Sequence, residues 1–355
     1  MGAGFLIYCS VRFTAKRLAE ILGAFPRCKI LVVGDLMLDE FLWGKVTRIS
    51  PEAPVPVIDV ERREYFPGGA ANVACNLARL GARVSLAGVA GMEASGDRLC
   101  QRVAESGVRP DLIRLTSSRP TTHKTRVCAI THKPRGHLKI EDQHQIVRID
   151  NESREPLDAD SKGWLFERLR AEIAAHDAVI LEDYAKGLID QELVTLVIGE
   201  AKKHGKIVAI DPNPNNPFDW SGATVLKPNR KEAFQAAGLP YSTGDEAILK
   251  AGAVLQKRYA VRDLLITLGE AGMLLLEEGR KSYHAPTRAL EVFDVSGAGD
   301  TAIAAFTLAL AAGANGIEAA EIANHAAGVV VGKLGTATLS VDELRDMFAK
   351  TEGLE

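Results

Sequence analysis

Short apolar runs recur along the chain, and most are followed by a stretch with helical spacing. Residues 29–35 place a continuous apolar run, Ile30 to Val33, between Lys29 and a turn at Gly34-Asp35, the pattern of a strand buried on both faces. Residues 83–89, 177–181, 207–211, 225–226 and 263–268 read the same way, and 273–276 with 281–284 read as a hairpin. Helical spacing covers 68–80, 96–105, 191–203 and 230–237, and two Ala-rich segments, 298–312 and 317–333. Strands alternating with helices predict βαβ units, hence an α/β fold with a mostly parallel sheet covered on both faces.

Two segments break this rhythm. Residues 41–66 and 122–150 alternate polar and apolar side chains without a helical period, which predicts small antiparallel strands outside the main sheet. Residues 1–27 read as a leader whose 15–25 stretch places Leu18, Ile21, Leu22 and Phe25 at helical spacing. There is no internal repeat and no Ser/Gly linker, so 28–345 reads as one domain, followed by a tail at 346–355. A short amphipathic helix is expected at 341–348, with Leu344 and Met347 on one side.

Composition narrows the function. Of 355 residues, 43 are Lys or Arg and 46 are Asp or Glu, a net charge of −3; a nucleic-acid protein relying on a strongly basic surface is excluded. No apolar stretch approaches the ~18–20 residues of a membrane span, so no membrane partner is expected. The patch from Phe5 to Cys9 is short, and its charges, Arg12, Lys16 and Arg17, follow it, the wrong side for a signal peptide. Cys9, Cys28, Cys75, Cys100 and Cys128 contain no Cys-x-x-Cys pair, as expected of a reduced cytoplasmic protein with buried thiols.

The richest chemistry lies in Asp294-Val-Ser-Gly-Ala-Gly-Asp300, directly before an Ala-rich helix. Glycines at a helix start let backbone N–H groups converge on one anionic group. Asp300 then falls in the first turn, where a carboxylate is a poor phosphate ligand but a good proton acceptor. That pairing suggests phosphoryl transfer to an alcohol with Asp300 as general base. The alternative, a Gly-rich turn with Asp300 as a helix cap, fits the local pattern equally well.

Asp294-x-x-Gly-Ala-Gly-Asp300, Pro67-Gly-Gly-Ala-Ala-Asn72 and Lys227-Pro-Asn229-x-x-Glu232 resemble, in order and separation, the three motifs of the ribokinase-like (PfkB-type) carbohydrate kinases. The likeness covers about residues 28–345. Gly34-Asp-Leu-Met-Leu-Asp39, residues 48–57, Asp183-Tyr-Ala-Lys-Gly187 and residues 328–335 further resemble one subgroup. That subgroup is the D-glycero-β-D-manno-heptose-7-phosphate kinases, the kinase half of bifunctional ADP-heptose synthesis proteins. The resemblance implies a ribokinase-like three-layer fold with a β lid at about 41–66 and 122–150. It implies ATP-dependent phosphorylation of the anomeric hydroxyl of heptose 7-phosphate, with ATP and Mg²⁺ as cofactors and a monovalent cation as an optional addition. Another sugar or sugar phosphate is the nearest rival, and a non-catalytic binding regulator on the same fold a more distant one.

Carried onto this sequence, the resemblance implies these roles. Asp300 is the base, with backbone N–H groups around Gly297, Ala298 and Gly299 on the transferring group. Asp39, Gly68, Gly69 and Asn72 hold the sugar, helped by Arg148. Asn229, Glu232, Thr267, Gly269, Asn324 and Gly328 lie along ATP, with Glu232 ordering the metal through water. Local readings stand beside several of these. Asp39 could be a turn residue, Asn229 and Glu232 a helix cap, Thr267 and Gly269 part of a hairpin, and Asn324 and Gly328 helix packing. Lys186 is either a phosphate contact or a surface lysine. The lid segment carries Lys124, Arg126, Lys133, Arg135, Lys139 and Arg148, suited to a phosphorylated sugar. Its histidines, His123, His132, His137 and His144, are expected as solvated lid residues, and its 132–143 stretch is longer than usual for the subgroup. Pairing of lids would make a homodimer. With about twenty residues after Gly335, a free-standing kinase that stops at the 1,7-bisphosphate is expected.

Overall fold

The Lys29–Gly34 strand alternates its burial between two cores: Ile30 and Val32 face one, Leu31 and Val33 the other. In this computed structural model, which describes residues 14–135, 138–333 and 335–353, that strand is β1 of a nine-stranded sheet. In chain order the elements begin α1 (Ala15–Ala24), β1, β2 (Leu36–Ile49), β3 (Pro56–Gly69), α2 (Ala70–Arg79), β4 (Arg83–Gly91), α3 (Ala94–Glu105), β5 (Arg109–Thr116), β6 (Thr122–Arg135) and β7 (Leu138–Asn151). They continue through α4 (Ala159–Glu172), β8 (Ala178–Glu182), α5 (Gln191–Lys203), β9 (Ile207–Asp211), β10 (Val225–Leu226), α6 (Arg230–Ala237), α7 (Asp245–Tyr259) and β11 (Asp263–Thr267). The chain closes with β12 (Met273–Glu277), β13 (Tyr283–Ala285), α8 (Ala298–Ala311), α9 (Gly316–Val330) and α10 (Val341–Glu352). The large sheet runs β13-β12-β11-β10-β9-β8-β1-β4-β5. It is parallel except for the β11–β12 and β12–β13 pairs. One face carries α1, α2, α3, α8, α9 and α10; the other carries α4, α5, α6 and α7. This is the expected three-layer α/β architecture.

The described end of the leader belongs to the core. Leu18, Ile21, Leu22 and Phe25 are buried, and Arg17 ties α1 to Glu318 of α9 at 2.8 Å. Three elements, β5, α4 and α7, have no counterpart in the sequence pattern. In α4 the apolar residues Trp164, Leu165 and Phe166 are contiguous, which hides the helical period.

The second sheet, β3-β2-β6-β7, is the lid. Its four strands are 14 residues each and its central β2–β6 pair is parallel, so the expectation of small, antiparallel strands is corrected. Both β2 and β6 leave the large sheet at the carboxyl end of a parallel strand, and therefore run in the same direction. Phe41 stacks on Trp43 at 5.5 Å and meets Phe66 edge-on at 5.6 Å; with Cys128 and Ile130 they give the lid its own apolar cluster. His123 is not a solvated lid residue. Its Nε2 lies 3.0 Å from Glu40 and its Nδ1 3.0 Å from Ser95 Oγ. The side chains of His132, His137, Lys133, Arg135 and Lys139 lie outside the described residues.

Gly34 shows how tightly β1 and β8 close on each other. A Cβ there would lie 2.3 Å from the Glu182 carbonyl oxygen, a backbone atom of the paired strand. Overpacking of this kind costs about 1–3 kcal/mol, and each kcal/mol moves the thermal midpoint by about 2–4 °C in a domain of some 200 residues. Gly34→Ala is expected to lower Tm by several degrees in scanning calorimetry; an unchanged Tm would contradict this packing.

Candidate active site

Parallel strands of an α/β sheet deliver their carboxyl ends to one edge, where ligands bind. Here that edge gathers Asp35 after β1, Glu182 at the end of β8 and Asp183 just after it, Asp211 from β9 and Lys227 after β10. The α8 N-terminus adds Asp300. Carboxylate oxygens of Glu182, Asp211 and Asp300 all lie within 4.8 Å of one another. Lys227 Nζ sits 2.8 Å from Asp211 and is buried.

Crowding buried acids raises their proton affinity. Glu182 is held well above the usual carboxylate range, first by burial and then by Asp211 and Asp300. Asp211 is pushed up to about 6 by burial, against the pull of Lys227. Asp300 is raised by burial, with its hydrogen bonds acting in the opposite direction. Burial lowers the Lys227 pKa, but Asp211, together with Glu182 and Glu232, more than offsets this and leaves it raised. Both Glu182 carboxylate oxygens are buried without a hydrogen-bond partner among the described residues. An all-carboxylate donor set with orphaned oxygens fits a hard divalent cation such as Mg²⁺.

Asp300 is the third residue of α8 and 5% exposed. Its Oδ2 accepts from Asn72 Nδ2 at 2.7 Å and its Oδ1 from the Tyr184 hydroxyl at 2.6 Å. Gly297 caps the helix at φ +77°, and a Cβ there would press to 2.8 Å from Asn72 Nδ2. Ala298 donates its N–H to Val295 at 3.3 Å, so the open donors of the first turn belong to the residues after it. Asp294 braces the turn, accepting from Ser296 N–H at 2.9 Å and Gly335 N–H at 3.0 Å.

The other sequence candidates separate into groups. Asn229, Thr267, Gly269, Ala298, Gly299, Asn324 and Gly328 line one cavity of about 910 Å³. Glu232 is not among its lining residues. It forms a reciprocal cap with Asn229, at 2.9 and 2.8 Å, through Oε2. Asn324 donates to the Pro286 carbonyl at 2.6 Å, and Gly328 lets the chain at Arg288 and Ala289 approach α9; helix packing and the cavity wall are one feature.

Asp39 lies inside β2, opposite Phe66, and not in a turn. It is buried and accepts from Arg126. Gly68 is required beside it, because a Cβ would sit 2.4 Å from Asp39 Oδ2. Gly69 adopts φ +57° at the start of α2. Asn72, expected on sugar hydroxyls, directs its amide donor at Asp300. Of the lid cations singled out in the sequence, the three with described side chains are engaged: Lys124 with Asp150 and Glu152, Arg126 with Asp39, and Arg148 with Asp150; Lys186, in the loop after β8, pairs with Glu152. Glu182, Asp211, Lys227 and Tyr184 were not assigned roles from sequence. Glu182, Asp211 and Lys227 each stand at the last position of a predicted strand or directly after it, and Tyr184 lies three residues past one; that placement is the signal available in the sequence.

Comparison with known proteins follows this geometry. The pfkB family carbohydrate kinase family matches residues 28–343. The chain is 41% identical over 334 residues to the bifunctional protein HldE of Pelobacter propionicus, covering 94% of this chain and 66% of that protein. It is 44% identical over 314 residues to the bifunctional protein HldE of Geobacter sulfurreducens, covering 88% and 61%. The chain therefore spans somewhat less than two thirds of the length of these relatives. Its fold is similar to Arabidopsis thaliana ribokinase solved with ribose and ATP (TM-score 0.67, 21% identity, 90% of this chain and 98% of that one). It is also similar to Escherichia coli phosphofructokinase-2 solved with potassium (0.71, 20%, 91% and 98%). The chain belongs to the pfkB family of carbohydrate kinases.

Asp183 offers a test of the buried edge. Burial pushes its carboxyl up to about 7 from 3.8, although Ala185 N–H and Asn216 favour the charged form. Between those values the folded protein holds a proton that the unfolded chain has lost, so this contribution is present at low pH and fades as pH rises toward 7. Asp183→Asn cannot ionise. Denaturant unfolding at about pH 5 and about pH 7.5 should show wild type losing stability relative to the variant at the higher pH. A difference that stays constant with pH would contradict the shift.

Proposed function

We propose that this pfkB-family chain transfers the γ-phosphoryl group of ATP to the anomeric hydroxyl of D-glycero-β-D-manno-heptose 7-phosphate, yielding the 1,7-bisphosphate. The observation that carries the reaction type is Asp300: a buried carboxylate in the first turn of a helix, at a glycine turn, with both oxygens held by donors. The choice of heptose phosphate is supported by the subgroup motifs and by the 41–44% identity to HldE proteins. On that basis the reaction serves ADP-heptose and lipopolysaccharide core synthesis in the cytoplasm. Among the described residues no helix is long and apolar enough to cross a membrane.

The residues divide the work by location. Thr267, Gly269, Asn324 and Gly328 shape the cavity for the nucleotide, with Asn229 at its edge. Asp39, fixed by Arg126, and the backbone at Gly68 and Gly69 meet the sugar beneath the lid. Arg148, on β7 directly across from Arg126, supplies a second cation toward a phosphorylated acceptor. Asp300 takes the proton of the attacking hydroxyl, while the first-turn N–H groups of Gly299 and Asp300 face the transferring phosphoryl group. Mg²⁺ would be held by Glu182 and Asp211, with Glu232 acting through water, and when bound it offsets phosphate charge. A monovalent cation is an optional addition; the phosphofructokinase-2 neighbour was solved with potassium.

A homodimer through the lid is part of the same proposal. Val46, Ile49, Val60, Val147 and Ile149 expose 40–61% of their surface on the lid strands, and β3 and β7 are edges. Long exposed edge strands beside apolar side chains invite pairing.

Asp300→Asn keeps the shape and loses the proton acceptor. Steady-state kinetics with the heptose phosphate should show kcat falling by about 10²–10⁴-fold, while calorimetry finds ATP affinity within about threefold. Turnover close to wild type would make Asp300 only a helix-terminal residue. A panel including ribose, fructose and fructose 6-phosphate separates this acceptor from its rivals.

A further inference from the structure

We propose that Tyr184 is a positioning residue for phosphoryl transfer: its phenol holds the Asp300 carboxylate in the orientation from which it takes the acceptor proton. This rests on Asp300 being the base, as proposed above, and assigns work to a motif, residues 183–187, that the proposed reaction otherwise leaves idle.

The geometry is specific. Tyr184 Oη donates to Asp300 Oδ1 at 2.6 Å while Asn72 Nδ2 donates to Oδ2 at 2.7 Å. One donor on each oxygen fixes the plane of the carboxylate, and each oxygen keeps a second lone pair for an incoming hydroxyl. Tyr184 acts as the donor, since a phenol carries its proton at neutral pH and a carboxylate only accepts. Lys186, the other candidate in the motif, is engaged elsewhere, with Glu152 at 2.7 Å.

The loop is built to keep the phenol in place. Ala185 adopts φ +53°, a left-handed conformation that is unfavourable for a residue with a Cβ. Such a conformation persists when its surroundings over-determine it. Here the buried Asp35 carboxylate accepts the N–H groups of Tyr184 at 2.9 Å, Lys186 at 3.0 Å and Leu188 at 3.3 Å. Asp183 accepts from Ala185 N–H at 2.8 Å and is itself held by Asn216 at 2.9 and 3.0 Å. Two carboxylates are thus committed to a strained turn, and what that turn delivers to the base is one hydroxyl. Catalytic groups gain from such preorganisation, since small misplacements cost large factors in rate.

Tyr184→Phe removes the hydroxyl and keeps the ring, so the fold should survive; Tm within about 2 °C of wild type checks this. The variant, Asp300→Asn and the double variant are compared as full chains with Mg-ATP and whichever sugar of the panel wild type phosphorylates. The expected result is a kcat for Tyr184→Phe lower by about 10–100-fold, the scale of a lost charge-assisted hydrogen bond. KM for ATP should stay within about twofold. In the Asp300→Asn background the same change should add less than about twofold, because a residue that acts through Asp300 has nothing left to orient. Full activity of Tyr184→Phe beside an inactive Asp300→Asn would overturn the positioning role alone. Multiplying losses in the double variant would overturn it too, and an active Asp300→Asn would remove both it and the base assignment.

Discussion

The structure turns on a charge imbalance. Glu182, Asp211 and Asp300 bring carboxylate oxygens within 4.8 Å of one another, and Lys227 is the buried ammonium among them. Ionised carboxylates this close, removed from water, repel strongly unless protons or cations intervene. Burial already raises Glu182 and Asp211 toward the neutral form. A ligand carrying positive charge to this edge relieves the same strain. Burial raises Asp300 as well; in the proposed reaction this edge faces the metal-bound nucleotide, and Asp300, with one donor on each oxygen, takes the acceptor proton.

The sheet order makes this clustering possible. Neighbours β9, β8 and β1 are parallel, so their carboxyl ends meet at one level. The α8 helix crosses that level with its N-terminus, supplying Asp300 beside unsatisfied backbone donors. The lid rises from the same edge, since β2 begins two residues after β1 ends. Acidic cluster and lid are therefore consequences of one topological choice.

What was legible in the sequence follows from range. The glycine turn and Asp300 are contiguous, so their placement at the start of a helix could be read directly. Most strands of the large sheet announced themselves as apolar runs because both faces are buried. Tyr184 and Asp300 are 116 positions apart, and Asn72 and Asp300 are 228 apart; no local spacing encodes those contacts. The alternation of 41–66 and 122–150 revealed a second sheet, but strand direction depends on where each strand leaves the body. His123 looked exposed in a polar run, whereas its partners Glu40 and Ser95 come from other elements. Asn229 and Glu232 admit both a cap and a role beside the metal, and the cap is in place through one oxygen of Glu232.

The central claim is that this acidic edge moves a phosphoryl group onto a sugar's anomeric oxygen. Phosphorus NMR of the purified chain incubated with Mg-ATP and D-glycero-β-D-manno-heptose 7-phosphate tests it most directly. The account predicts ADP appearing in step with a second phosphate monoester, its phosphorus coupled to the anomeric proton and the original 7-phosphate unchanged. Phosphate added at any other carbon, or ATP left intact beside the sugar, would contradict it.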